Sequence, residues 1–552
     1  MDGTVFSIIG SAADHPSDGR VQEWAARFFL AAGVGARLWQ YAANPSLYLD
    51  ELAVARNILD RPLGRLLAEP LAYDQVAPAG FLLGEKLVVL ALGGGERALR
   101  LLPLGAGIAA LGLFYALAGR VLRGWGWPVA VALFALAVPL VRDGTQVKQY
   151  SLDVVAMIVV LTAAVGWRVR RTMASAGLLC VAGAAGLCVS HAAVLGLAAV
   201  GLALTGCVLG ERDRAAARVV LWVDLLWALL AAGAVVATLR NVSPATQVYL
   251  RAYWRDGFMP LGVNGLRWLW SNLVDLFGVT LRYAAPRVFV VVGCLGAMSL
   301  WRRRKDVVLL AVMPLLVAFV AAAAHLYPFR GRLTLFLLPS ILLLVAEGGE
   351  WLRERLTHRW TMAGYAGLLL LVLPAVRAIW RFPPAYRPDD VRPVLAVLRA
   401  RWQPGDVAYT YFASWQAIAF YAPKYGFGAD AFWIGGCHRL EPRAYLRELD
   451  RFRGRSRMWV FFTHAVYGER RMLLRYLNAI GIRRDAIPGD LGLSEGKRAS
   501  AFLYDLSDGR KLGSAAAATF AAVDIEPPAD TSIACRHGPE VPSPGARSSN
   551  AD

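Results

Sequence analysis

A polytopic helical membrane protein ending in one water-soluble α/β domain is the fold class this sequence predicts. Composition is the first observation: 57% of the 552 residues are hydrophobic and only 18% are charged, where soluble chains carry roughly half and a quarter. The second is placement. The apolar excess lies before residue 380, in runs on the scale of the roughly 20 residues that cross a bilayer, and Val307–Ala324 and Leu333–Ala346 contain no charge at all. The third is a change of pattern after residue 380, where short stretches of β-formers alternate with helical periods.

The formal net charge is +19 and the isoelectric point about 10. In a soluble protein that balance points to nucleic acid. Here the arginines sit in short loops beside apolar runs, where they orient helices, and no nucleic-acid partner is expected. Cys180, Cys188, Cys207 and Cys294 lie in apolar runs and read as small packing residues. Cys437 and Cys535 lie in the C-terminal part, and without a Cys-x-x-Cys pair neither a zinc site nor a disulfide framework is expected. The first residues, with Asp2, Asp14 and Asp18, do not read as a cleaved signal peptide.

Twelve apolar runs follow in order, near 21–42, 77–93, 98–119, 125–141, 151–167, 174–190, 192–210, 219–239, 287–301, 307–324, 333–347 and 360–380. The basic loops at Arg168–Arg171, Glu211–Arg214, Arg302–Lys305 and Arg353–Arg359 are separated by even numbers of runs, so they share one side, and the positive-inside rule makes it cytoplasmic. An internal N-terminus then requires one of the first five runs not to span. The weakest is 77–93, which carries Glu85-Lys86 and is interrupted by Gly80 and Gly84. It reads as a helix lying at the outer interface. Eleven spans remain, and the C-terminal domain is expected outside. An external N-terminus with twelve spans places the basic loops on the same side, so charge alone leaves both open.

The domains expected are an N-terminal cytoplasmic segment at 1–20, a transmembrane domain at 21–380, a soluble α/β domain at 381–510 and a disordered tail at 511–552. The first external loop is 43–97. A Trp-rich stretch, Leu266–Trp270, suits an interfacial helix. In the soluble domain, 389–402, 415–421 and 469–480 read as helices and 407–412, 458–462 and 501–505 as strands. No Gly-rich phosphate loop follows a strand. The tail is rich in Ala, Ser, Pro and Asp, with little to bury.

The residues that carry chemistry begin with Ser46-Leu47-Tyr48-Leu49-Asp50-Glu51, just after the first span. Two adjacent carboxylates at a membrane boundary are costly unless solvated, paired or used. One can serve as a general base or a metal ligand. The alternative is that both merely begin the following helix, where an N-terminal carboxylate is favoured. His191 and His325 end apolar runs and read as boundary residues, and Asp224, inside a run, is expected to pair with a neighbouring helix or line a cavity.

One span followed by an Asp-Glu pair opening an external helix resembles the GT-C superfamily of membrane glycosyltransferases. The likeness is to its protein O-mannosyltransferase-like, aminoarabinose-transferase-like and RgtA/B/C/D-like group. Tyr73-Asp74-Gln75-Val76-Ala77-Pro78 looks like that group's second acidic element, and Glu96–Pro103 is similar to its approach to the second true span. Gln146–Asp153 looks like the next external loop, with Asp153 the acidic position and Asp143 a rival. Tyr327-Pro328-Phe329-Arg330-Gly331-Arg332-Leu333 resembles a late external loop whose basic residue lies near the donor phosphate. A guanidinium fork suits phosphate oxygens, although Arg330 and Arg332 as interfacial anchors are the competing account.

The resemblance implies a glycosyltransferase at the outer face of the cytoplasmic membrane, using a sugar on a polyprenyl phosphate. The acceptor would be a lipid, glycan or protein, and the reaction inverting. Asp50 would be the general base, with Glu51 beside it. Arg330, Arg332, Lys148 and Tyr327 would hold the donor phosphate. Glu51, Asp74 and Asp153 would be orienting groups or ligands of a divalent metal, for which hard oxygen donors are suited. Two other classes stand beside it. A transporter or flippase of lipid-linked sugars shares the phosphate contacts but needs no Asp-Glu pair at the outer mouth. An envelope scaffold leaves the loop carboxylates without a role.

Overall fold

The computed structural model describes residues 17–357, 360–382, 389–465, 468–489, 498–511 and Cys535. Almost all of the expected N-terminal segment and most of the expected tail lie outside these. The chain divides into two compact units. One comprises Met1–Ala43, Ala77–Arg240 and Trp254–Ala385, and the other Asn44–Val76, Asn241–Tyr253 and Tyr386–Asp552.

The first unit is a helical bundle, and each of the eleven runs read as spans is helical in it. Seven helices among the described residues are long and apolar enough to cross a membrane. An eighth span results if Gly126–Ala135 and Val138–Thr145, bent by 56° at the break, count together. Ser17–Ala43, Met173–Val189 and Pro286–Arg303 fall outside that set. Met173–Val189 has only 17 residues. The other two carry charge, such as Glu23, Arg27, Arg302 and Arg303. The run at 77–93 forms Ala79–Leu92, whose 14 residues extend about 21 Å, short of the roughly 30 Å hydrocarbon core.

Two arginine-bearing turns meet their partners at the helix ends. Arg171 donates to Asp213 at 2.7 Å, and Arg168 to Glu211 at 3.2 Å. Arg123 donates to Glu354 at 2.9 Å. The Arg168–Arg171 and Glu211–Arg214 loops, read from the sequence as lying on one side, are thus adjacent. Inside the bundle, Pro286–Arg303 and Leu338–Thr357 pack backbone to backbone at Gly296 and Gly348, where a Cβ on either would overlap the facing main chain. Small residues allow this approach, on which helix association in lipid depends. Beside it, buried Glu347 accepts from Ser299 at 2.7 Å and Arg303 at 2.6 Å. Asp224 accepts from Thr205 on the neighbouring helix at 2.9 Å, the pairing its position in an apolar run demands.

The second unit is built on a five-stranded mixed sheet of order β2-β1-β3-β5-β4. The strands are β1 (Val407–Thr410), β2 (Phe432–Ile434), β3 (Met458–Phe462), β4 (Ile482–Ile487) and β5 (Ser500–Asp505). β1 runs parallel to β2 and β3, and β5 antiparallel to β3 and β4. Helices at Val391–Arg401, Trp415–Tyr421 and Glu469–Ile480 match the sequence reading, while Pro442–Asp450, β2 and β4 were not anticipated. The core is aromatic: Tyr409, Tyr411, Tyr445, Phe462, Tyr476 and Tyr504 are all buried in one cluster.

The cysteine reading is corrected. Cys437 and Cys535 form a disulfide across 98 residues of chain, with Cα atoms 5.4 Å apart. Local spacing cannot reveal such a pair, because the fold alone brings the two residues within bonding reach.

Candidate functional site

The chain between Asn44 and Val76 carries two of the acidic elements, and it belongs to the same unit as the sheet. Asp50 and Glu51 occupy the first turn of helix Leu49–Asp60. Glu51 is buried, and its carboxylate accepts from the Tyr48 amide at 3.0 Å. It is therefore committed to starting the helix. Asp50, beside it in the same turn, is half-buried.

Asp74 is fastened to that helix through Asn57. The Asn57 side chain accepts from the Ala72 amide at 2.8 Å and donates to the Ala72 carbonyl at 3.1 Å. Beyond this clamp Tyr73 and Asp74 both adopt left-handed backbone, φ 63° and 53°. Consecutive non-glycine residues there cost energy that the surroundings must supply. Asp74 then accepts from Thr246 at 2.8 Å. Tyr73 and Trp415 meet edge to face at 5.8 Å, with the Arg56 guanidinium 5.5 and 5.2 Å from their ring centres.

The remaining predicted residues lie in the helical unit. Asp153 sits in the first turn of helix Tyr150–Arg170, buried. Ser190 lies beside it, and its Oδ1 has no protein partner. It lines a small cavity with Met157, Ala192, Gly196 and Phe336. Asp143, its rival, is buried and bonded to the adjacent Arg142 at 2.8 Å. Lys148 is buried in the loop between them.

The late loop separates its two arginines. Arg332 lies over the Tyr150 ring at 5.4 Å. Arg330 is exposed and pairs with exposed Asp256 at 3.3 Å. The Tyr327 hydroxyl donates to the Leu333 carbonyl at 3.0 Å. Burial, with Asp153 and Tyr150 nearby, pushes that phenol well above its ordinary range, although part of the ring remains accessible. The helical unit therefore brings Arg332, Tyr327, Tyr150 and Asp153 into one neighbourhood and leaves Arg330 at its surface. His325 stacks on Phe258 at 5.2 Å, and His191 lies 3.4 Å from Thr238, both at helix ends. Among the described residues no three His, Cys, Asp or Glu side chains gather as a metal site.

Several residues of the two units, each within its own, carried no local signal. Ser46, Asn57 and Tyr150 act through main-chain or ring contacts that depend on distant segments. Only Asn57 offered a hint, since an asparagine inside a helix is disfavoured unless its amide is used elsewhere.

No family model matches the chain, and no curated protein matches it. Solved structures do. It is similar to ArnT from Cupriavidus metallidurans bound to undecaprenyl phosphate, at 12% identity and a TM-score of 0.50, over 88% of this chain and 98% of that one. The apo form of the same protein aligns at 11% identity and a TM-score of 0.49, with the same coverage. The likeness to the bound form shows the fold: a GT-C-like multi-pass helical membrane protein with a small mixed-sheet region near its C-terminus.

Proposed function

We propose that this protein is a glycosyltransferase that moves a sugar from a polyprenyl-phosphate donor to an acceptor hydroxyl. The observation that carries the reading is the fold. A solved protein of that fold binds undecaprenyl phosphate, and this chain covers 98% of its length. The order of acidic and basic loops in the sequence agrees with it.

Asp50 takes the proton from the acceptor hydroxyl as that oxygen attacks the anomeric carbon. The bond from that carbon to the phosphate oxygen breaks, and polyprenyl phosphate leaves with the electron pair. Arg332 is the principal group for the charge that grows on the phosphate, with Lys148, Tyr327 and Arg330 assisting. A single displacement of this kind inverts the anomeric centre. Asp74 and Asp153 orient the reacting groups, and Glu51 holds the helix that presents Asp50.

The acceptor classes are lipid, polysaccharide and protein, and the site faces the outside of the cytoplasmic membrane. The Cys437–Cys535 bond supports an external C-terminal domain, since cytosolic thiols are kept reduced.

Asp50→Asn tests the base. Asn keeps the side-chain shape in the first turn and forgoes only the helix-dipole interaction, about 0.3–1 kcal/mol, so expression and stability should hold. Transfer should fall by about 10²- to 10⁴-fold, the usual worth of a positioned base, with donor binding intact. The acceptor comes first from the envelope-glycan profile of a deletion strain. Complementation by Asp50→Asn at native expression sinks the assignment.

A further inference from the structure

The segment that leads into the Asp50 helix is held on three sides by side chains of the sheet-bearing part of its own unit. Ser46 Oγ donates to Asp390 at 2.5 Å and accepts from the Val391 amide at 3.1 Å, at the start of helix Val391–Arg401. The Leu47 amide donates to the Tyr421 hydroxyl at 2.7 Å. The Tyr48 hydroxyl and His464 Nδ1 share a hydrogen bond of 3.0 Å, and either ring tautomer can make it. Two residues further along the chain stands Asp50.

His464 joins this clamp to the sheet. It follows β3, the middle strand of the sheet, at that strand's carboxyl end. Parallel strands of this kind present ligand-facing groups at that edge. Its backbone is left-handed, φ 49°, and so is that of Asp389, φ 52°. Each supports the other. The His464 amide donates to Asp389 Oδ1 at 3.2 Å, and Asp389 Oδ2 lies 3.7 Å from the imidazole Nδ1. Asp389 is buried, and His464 only partly so. Asp and His are among the non-glycine residues that adopt left-handed backbone more readily, and here the bond between them holds both in it.

We infer that His464, oriented by Asp389 and bonded to the Tyr48 hydroxyl, is a positioning residue that sets where helix Leu49–Asp60 presents Asp50. The sheet-bearing region thereby acquires a part in transfer without touching the reacting atoms. The inference rests on the proposed function insofar as Asp50 is the base. The holding of residues 46–52 stands apart from that.

The experiment has two arms on the purified full-length chain. Hydrogen–deuterium exchange compares wild type, His464→Ala and His464→Asn. Asn retains a hydrogen-bonding atom near the place of Nδ1 and tolerates left-handed backbone. His464→Ala should speed exchange at the amides of 47–52 by about three- to tenfold, the range expected for one net hydrogen bond. Protection across β1, β3 and β5 should stay unchanged, and His464→Asn should restore the slow rates. Tyr48→Phe should give the same acceleration, and the double variant no more than either alone.

In the second arm, turnover of a polyprenyl-phosphate sugar by His464→Ala should fall by a similar factor. Binding of the donor should be retained, and His464→Asn should rescue turnover. Wild-type protection at 47–52 in His464→Ala overturns the inference. So does loosened exchange with turnover unchanged, and so does loosening spread through the whole sheet, which marks ordinary destabilisation. A wild-type protein that turns over no polyprenyl-phosphate sugar overturns the functional reading instead, and the exchange arm alone then decides whether His464 positions the helix.

Discussion

Asp50 and Glu51 are chemically near-identical neighbours, and a hydrogen bond from the Tyr48 amide gives Glu51 a structural task at the start of the helix. Arg330 and Arg332 are separated. Arg332 lies over Tyr150 in the neighbourhood of Tyr327 and Asp153, while Arg330 pairs with Asp256 in water. An exposed ion pair contributes little, whereas a charged hydrogen bond to phosphate contributes roughly 1.5–3 kcal/mol. Arg332→Gln should therefore weaken binding of polyprenyl phosphate by about 10- to 150-fold, and Arg330→Gln by much less. Equilibrium binding to the purified variants checks this, and equal losses would remove the distinction. The residue types at these positions were legible in the sequence. The contacts that hold Glu51, Arg330 and Arg332 were not, because they depend on Tyr48, Asp256 and Tyr150 being brought alongside.

Among the elements, those with internal signals were readable and those defined by a neighbour were not. β1, β3 and β5 are rich in β-formers and form the middle of the sheet. β2 has three residues, β4 carries Arg483, Arg484 and Asp485, and both lie at the edges. Short or charged strands suit an edge and hide the pattern that would identify them. Before β1, buried Asp406 accepts from Arg457 at 2.7 Å and from the Trp459 indole at 3.0 Å. Burial opposes its charge, but Arg457, the Gln403 amide and the indole outweigh it and hold the carboxyl below the ordinary aspartate range. A depressed carboxyl adds stability above its unfolded value near 4, and loses it as pH falls through the folded value. Asp406→Asn should cost about 1–3 kcal/mol at pH 7, with the gap to wild type closing below about pH 4. Denaturant titration of protease resistance across 389–511 measures it. In the helical unit, Gly348→Leu has no room between Val292 and Gly296. Overpacking usually costs about 1–3 kcal/mol; here the obstacle is backbone, so loss of folded protein from detergent extracts is the expected result, and normal yield would contradict the packing.

For the whole molecule, the pairing of Arg168–Arg171 with Glu211–Asp213 agrees with a common side for those two basic loops. Alkaline phosphatase fused after Gly454 should be active, and after Arg304 inactive. The reverse would overturn the topology and the mechanism with it. The disulfide offers an independent check: thiol labelling of the intact membrane protein should modify Cys437 and Cys535 only after reduction.

The sequence by itself determined that this is a helical membrane protein with a C-terminal α/β region, where its apolar runs lie, and which loops hold carboxylates and arginines. Those properties are local: a run of about 20 apolar residues or a basic loop acts wherever it occurs. Only the tertiary structure decided that 44–76 and 241–253 join the C-terminal sheet in one unit, that Cys437 meets Cys535, and that Ser46 and Tyr48 are held by Asp390 and His464. These partners are separated by 98 to 416 residues, and contacts over such distances are set by which surfaces bury together, which no local window of sequence contains.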